Sequence, residues 1–285
     1  MALVTSIQSG YWGDDSTWDS GYVPDLMNDD VIIAGGHTVT VNYYDYLSVY
    51  RYLCVNAGGQ LDMEGTLALE NGGSLDVYGR LNLYGYTNLY GATAYIYGEL
   101  FVHSDLYMDG ASLYVEAAAH CTVYGYVHSH YGSYLYVHGI LTVESGGSIE
   151  ALYGGYMNVE YGGTLNIYGY VVVVYGSTLY VYDHGYVLVG PSGSVIVPMG
   201  GTLSLDYYSR MDLFGYLNFY DYDSYLYLGY ESVIRAGRDI TIANMMYSSG
   251  GKIIMLRREG VIRDYSGNIL FVLDQAYGYG RTLIA

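Results

Sequence analysis

The residues best suited to chemistry are few and scattered. His128 and His130 fall on one face of a strand-like run, with His138 and His120 about one repeat away. Zn2+ or Ni2+ would need three or four such ligands to converge, and the spacing alone does not bring them together. Asp14, Asp15, Asp19, Asp25, Asp29 and Asp30 form an oxygen-rich group that could attract Ca2+, though without a recognised loop pattern; a solvated acidic cap is the simpler expectation. Asp221 and Asp223 flank Tyr222 at the most acidic point of the repeat body and would suit glycosidase or lyase chemistry, but no wider acid/base cluster accompanies them and catalysis is not expected. No nucleophile elbow, phosphate loop or paired-cysteine motif occurs. No catalytic residue and no cofactor are therefore expected, with Ca2+ as the one candidate ion. The chain is read as a non-enzyme.

Cys54 and Cys121 are too few for a disulfide framework. If the repeat described below is a coil, they lie about three coils apart. At about 4.8 Å per coil that is roughly 14 Å, beyond disulfide reach. Two buried free thiols follow.

The elements that position these residues come from a dense repeat. LDVYG (75–79), LNLYG (81–85), TNLYG (87–91), AYIYG (94–98) and CTVYG (121–125) each place an apolar–x–apolar pair before Tyr-Gly. From Cys121 the first apolar residues of successive pairs are Val127, Leu135, Leu141, Ile149, Met157, Leu165, Val171, Leu179, Val187, Val195, Leu203, Met211 and Leu217. Every step is six or eight residues. Strand side chains alternate faces with period two, so even steps hold one face inward throughout. A helical period of 3.6 cannot do this. Three such strands make a coil of roughly 20–24 residues, the size of a β-helix repeat. The fold expected is all-β, a single-chain parallel β-solenoid. Its parts would be a cap over 1–40, a Tyr/Gly-rich solenoid over 41–235 and a basic β segment over 236–285. Gly after each pair is expected to supply backbone freedom at the corners.

Composition agrees. The 285 residues include 40 Gly and 41 Tyr but only 3 Pro, and 52% are hydrophobic. That is too apolar and aromatic for a disordered glycine-rich chain. No apolar run approaches the ~18 residues of a membrane span, and no signal peptide is visible.

With odd positions inward, tyrosines at even positions face out. Tyr124, Tyr126, Tyr134, Tyr136, Tyr168, Tyr170, Tyr180 and Tyr182 are the leading contact candidates. Equivalent rings on neighbouring coils would stack about 4.8 Å apart in ladders. Such ladders serve either as a partner surface or as plain stabilisation of a solvated wall.

Charge is polarised. The net charge is −18, with Met1–Ile234 at −21 and Arg235–Ala285 at +3. An acidic body argues against nucleic acid. The acidic start (Asp29, Asp30) and basic end (Arg257, Arg258) are candidates for head-to-tail contact between copies, which would give an open filament. Alternatively both ends are solvated and the tail folds onto its own body.

Residues 10–41 carry Gly-x-Trp at Trp12, a second Trp at Trp18, Val23-Pro24, Asp29-Asp30-Val31-Ile32-Ile33 and Gly36-His37-Thr38-Val39-Thr40-Val41. This resembles the cap-like module that begins many bacterial and phage β-helical surface proteins; the later Gly-rich repeats look loosely like adhesin passengers. The resemblance implies a fibrous extracellular or cell-surface location, or a virion, and no catalytic residue. The leading expectation is a self-assembling filament subunit whose partners are copies of itself. A phage tail fibre and a carbohydrate-binding adhesin are the alternatives.

Overall fold

A computed structural model describes residues 2–221, 223–241, 245–256, 261–263, 269–272 and 282–284. The chain divides into two compact units, Met1–Ile140 and Leu141–Ala285. Each is a parallel β-solenoid whose coils carry three short strands, one on each of three faces.

In the first unit, the first-face residues Val31, Leu53, Leu75, Ala94, Leu113 and Leu135 pair in succession, so coils take 22, 22, 19, 19 and 22 residues. In the second, Met157, Leu179, Leu203, Leu226 and Met246 give 22, 24, 23 and 20. Most strands are four residues long and alternate partly exposed with buried positions, as in Thr38–Val41 and Tyr134–Val137. This is the expected even-step pattern, and all fourteen marked residues from Cys121 to Leu217 are buried.

Two odd steps occur before that run. Thr87 to Ala94 and Leu106 to Leu113 are each seven residues, which on a continuous strand would turn the core face outward. The corners between them absorb the extra residue: Gly91 (φ 54°) and Gly110 (φ 59°) adopt the left-handed conformation and reset the face.

The glycines of Tyr-Gly divide into two kinds: Gly91, Gly132, Gly154, Gly162 and Gly176 take the positive φ expected at corners, and a second set does not. Gly79, Gly85, Gly98 and Gly125 have no positive φ. What they lack is room. A Cβ on Gly98 would lie 2.2 Å from the Gly79 carbonyl oxygen, and one on Gly85 2.0 Å from that of Gly65. Adjacent coils pass so closely at these corners that only hydrogen fits, and the corner amides bond across the gap, as Gly98 N–H does to Val77 O (2.9 Å). Positive φ also falls on bulky residues at some corners, among them Tyr131, Tyr153, Tyr175 and Tyr208. Each costs about 1–2 kcal/mol relative to an unstrained residue.

Trp12 and Trp18 close the first coil. Both are buried, their rings meet edge-on at 4.8 Å, and Trp18 Nε1–H donates to Trp12 O. In the second unit the coils continue past Arg235, with Met245–Ser248 and Lys252–Met255 pairing parallel with the strands before them. Reversed strands then enter: Thr282–Ile284 pairs antiparallel with Lys252–Ile254, and Ile269–Val272 with Val261–Arg263. The tail therefore folds in part onto its own sheet.

Candidate contact surface: the aromatic ladders

Because coils stack in register, equal positions on successive strands meet, and aromatic residues there must stack. On the first face Tyr95, Tyr114 and Tyr136 are consecutive register partners. Their centroids lie 4.8 and 4.6 Å apart with planes 14° and 9° from parallel. Tyr134 stands beside Tyr136 at 5.6 Å. One corner on, Tyr78 stacks on Tyr97 at 4.6 Å. On the third face Tyr107 stacks on His128 at 4.5 Å. Tyr126 lies beside His128 at 6.1 Å. None of the described tyrosines is buried.

Two ladders contain a histidine that parity arguments about tyrosine overlook. His103 lies between Tyr84 (4.5 Å, 12°) and Tyr124 (5.0 Å, 2°). The residue stays exposed at its rim, but the covered ring faces desolvate it in part, and that lowers its pKa. The sequence does carry the signal: His103 follows Leu100-x-Val102 as Tyr84 follows Leu81-x-Leu83. In the second unit His184 lies between Tyr161 (5.3 Å) and Tyr208 (5.4 Å), with tilted rings.

The remaining candidates sit in a different setting. Tyr170 has Ser148 and Ser194 as register partners, and Tyr180 has Asn158 and Ser204. Tyr180 touches Tyr182 along its own strand at 5.5 Å. Tyr168 lies over the backbone of Gly190, where an added Cβ would come 2.5 Å from its ring. The three-ring stack Tyr95–Tyr114–Tyr136 lies in the first unit, while the second holds the corner pair Tyr153–Tyr175 at 5.0 Å and the stacked pair Tyr225–Tyr247 at 6.5 Å.

The scattered chemical groups do not converge. His120 opens a second-face strand, His128 and His130 lie on the third face 5.8 Å apart, and His138 sits at the corner after a first-face strand. The cap carboxylates bind local donors. Asp14 accepts from Ser16, Asp19 from the Thr5 N–H, and Asp25 from the Met27 N–H and Asn28. These hydrogen bonds, the side-chain one first, hold Asp14 and Asp25 below the usual carboxylate range. Asp15 lies in the first turn of the short 3-10 helix Asp15–Thr17. Asp29 accepts from the Ala2 and Asp25 amides, and Asp30 pairs with Arg51 at 3.0 Å. Among the described residues no three His, Cys, Asp or Glu side chains are placed to share a metal. Asp223 accepts from the Gly200 N–H; Tyr222 lies outside the described residues.

Of the basic end, Arg257 and Arg258 lie outside the described residues. Arg210 and Arg235 both grip buried Asp212, through Nε–Oδ1 distances of 2.9 and 2.6 Å, and Tyr186 donates to the same carboxylate. Cys54 and Cys121 are free and buried.

Strand pairing and aromatic rows define the class, a three-faced parallel β-solenoid with stacked rings on its outer wall. No family model and no curated protein matches the sequence. Among solved structures the chain is similar to the crystal structure of a TibC-catalyzed hyper-glycosylated TibA55-350 fragment, with 17% identity over 92% of this chain and 93% of that one, at a TM-score of 0.32. The solenoid assignment rests on the strand register, not on that likeness. Among the described residues no helix is long and apolar enough to cross a membrane, which says nothing of a β-barrel.

Proposed function

We propose that this chain is a structural, non-enzymatic subunit of an extracellular or cell-surface fibre, and that it associates with copies of itself through its aromatic ladders. The observation that carries this reading is the register stack of Tyr95, Tyr114 and Tyr136. In a parallel stack the interior rings have both faces covered by their neighbours. What remains outward is a regular row of ring edges and hydroxyls. Sugar recognition by stacking uses an open ring face, which the middle ring Tyr114 does not offer. Edges and hydroxyls fit a flat protein surface, which gains apolar burial while each hydroxyl keeps a hydrogen bond. The acidic body, at −18 overall, repels its copies and nucleic acid alike. Lateral association through uncharged rings should therefore strengthen as salt screens that repulsion.

Negative-stain imaging and sedimentation of the purified chain test this. Long fibres are expected, and at least tenfold weaker association for Tyr95→Ser/Tyr114→Ser/Tyr136→Ser. A chain that stays monomeric at high concentration, or a triple variant that assembles equally well, overturns the reading. Trimers of fixed length would move it to a virion appendage.

A further inference from the structure

The first and second faces of the first unit begin one strand earlier than the third. Leu3–Thr5 pairs with Asp30–Ile32, and Gly10–Tyr11 with Val39–Thr40. The third sheet ends at Tyr46–Val49, which pairs only with Thr66–Leu69. The cap segment that crosses this position is not a strand. It leaves a cavity of about 430 Å3 lined by Trp12, Pro24, Leu26, Val41 and Leu47, with the carboxyl-bearing residues Asp25 and Asp45 at its wall. That volume is within the roughly 300–1,000 Å3 of ordinary binding pockets.

The strand edge facing this cavity is a bare hydrogen-bonding edge. Thr66 and Glu70 N–H donate back to Asp45 and Val49 O, whereas Leu67 N–H donates onward to Tyr86 O. Ser48 pairs in register with Ala68, which lies between Thr66 and Glu70. By the same alternation Ser48 turns its N–H toward the cap, where no strand meets it. Only at Tyr50 does the cap supply a partner, Leu26 O at 3.2 Å.

A second edge with no neighbour among the described residues lies in the other unit. Ile269–Val272 is the outermost strand of the sheet formed with Val261–Arg263 and Ile240–Thr241. Its sequence, Ile-Leu-Phe-Val, is apolar at all four positions. A strand with one solvated face alternates, whereas a fully apolar one fits a place covered on both faces. It belongs to the segment Arg235–Ala285, which carries +3, while Met1–Tyr50 holds seven Asp and no Lys or Arg.

Resting on the self-association reading above, we propose that the cavity beside Tyr46–Val49 is a strand-acceptor site for a second copy of this chain, and that the strand it accepts is Ile269–Val272. Backbone bonding to the Ser48 edge supplies affinity, the apolar lining takes alternate side chains, and the charge difference sets direction. The contact joins unlike surfaces, so it propagates from copy to copy unless the rotation closes a ring.

Amide hydrogen exchange of the full chain, dilute and associated, tests it. Tyr46 and Ser48 amides and the Ile269–Val272 amides are expected to slow at least tenfold on association. Ser48→Pro, which removes an N–H not used toward Thr66–Leu69, should abolish the slowing at Tyr46 and at Ile269–Val272 while leaving the thermal midpoint nearly unchanged. Association that leaves Tyr46 and Ser48 exchange unaltered overturns this inference and leaves the ladder reading standing. If the chain does not associate, a synthetic peptide of residues 261–273 is added: slowed exchange at Tyr46 and Ser48 upholds the acceptor edge while the ladder reading falls. Unchanged exchange with the peptide overturns both.

Discussion

Tyr114 lies 4.6 Å from Tyr136 with the two rings 9° from parallel, and the pair are register partners on adjacent first-face strands. Backbone pairing at coil spacing therefore presets the stack. Aromatic pairs contribute about 0.5–1.5 kcal/mol beyond burial. A double-mutant cycle with Tyr114→Ala and Tyr136→Ala in urea should return a coupling in that range. Strictly additive effects would mean that the rings lie together without supporting each other.

The two glycine roles separate by substitution. Gly98→Ala drives a methyl into the Gly79 carbonyl and should lower unfolding free energy by about 2–3 kcal/mol. Gly132→Ala meets nothing within 4 Å but keeps φ at 75°, so it should cost only about 1–2 kcal/mol. Equal losses in chemical denaturation would refute the distinction.

Desolvation of His103 between Tyr84 and Tyr124 lowers its folded pKa from 6.5. A depressed folded pKa means protonation favours the unfolded chain. The stabilising contribution is thus present above pH 6.5 and is lost as pH falls through the folded value. His103→Phe keeps the stack and removes the titration, so its thermal midpoint should fall less than the wild type's between pH 7.5 and 5. Parallel acid profiles for the two proteins would exclude His103 as a source of acid sensitivity.

At the alkaline end the sign reverses. Burial pushes the Cys121 thiol from 9.0 up to about 12, and burial, then the hydrogen bond to Asp212, pushes Tyr186 from 10.0 to about 12. Both stay protonated when folded, whereas the unfolded groups ionise. Stability is full below about pH 9 and falls as the pH climbs through 12. Thermal midpoints at pH 8, 9.5 and 11 should decline, and Cys121→Val should shallow the slope. Iodoacetamide at pH 8 should label Cys54 and Cys121 only after denaturation; rapid native labelling would contradict their burial.

The period-two pattern made the coil legible because a strand's side chains can point only two ways. Residues such as Leu135, Leu179 and Leu203 disclosed the inner face without any knowledge of contacts. The same pattern could not show why glycine follows tyrosine. Gly98 is explained by a carbonyl nineteen residues earlier in the chain, at Gly79, and that proximity exists only after the coils stack. His103 holds the position after Leu100-x-Val102 that Tyr84 holds after Leu81-x-Leu83, but only the stacked coils bring it between Tyr84 and Tyr124. The acidic cap looked like a possible ion site for a similar reason: Asp29 and Asp19 are near one another in sequence, but folding gives their oxygens to the Ala2 and Thr5 amides.

Sequence alone determined the fold class, the inward face and the outward tyrosines, since each follows from alternation along one strand. Tertiary structure decided which outward rings stack, because stacking depends on what the neighbouring coil presents in register. Tyr114 meets Tyr95 and Tyr136, whereas Tyr170 meets Ser148 and Ser194. It also decided that the third face begins late, leaving the edge at Tyr46–Val49 open, for a sheet's edge is defined by the strand that is not there.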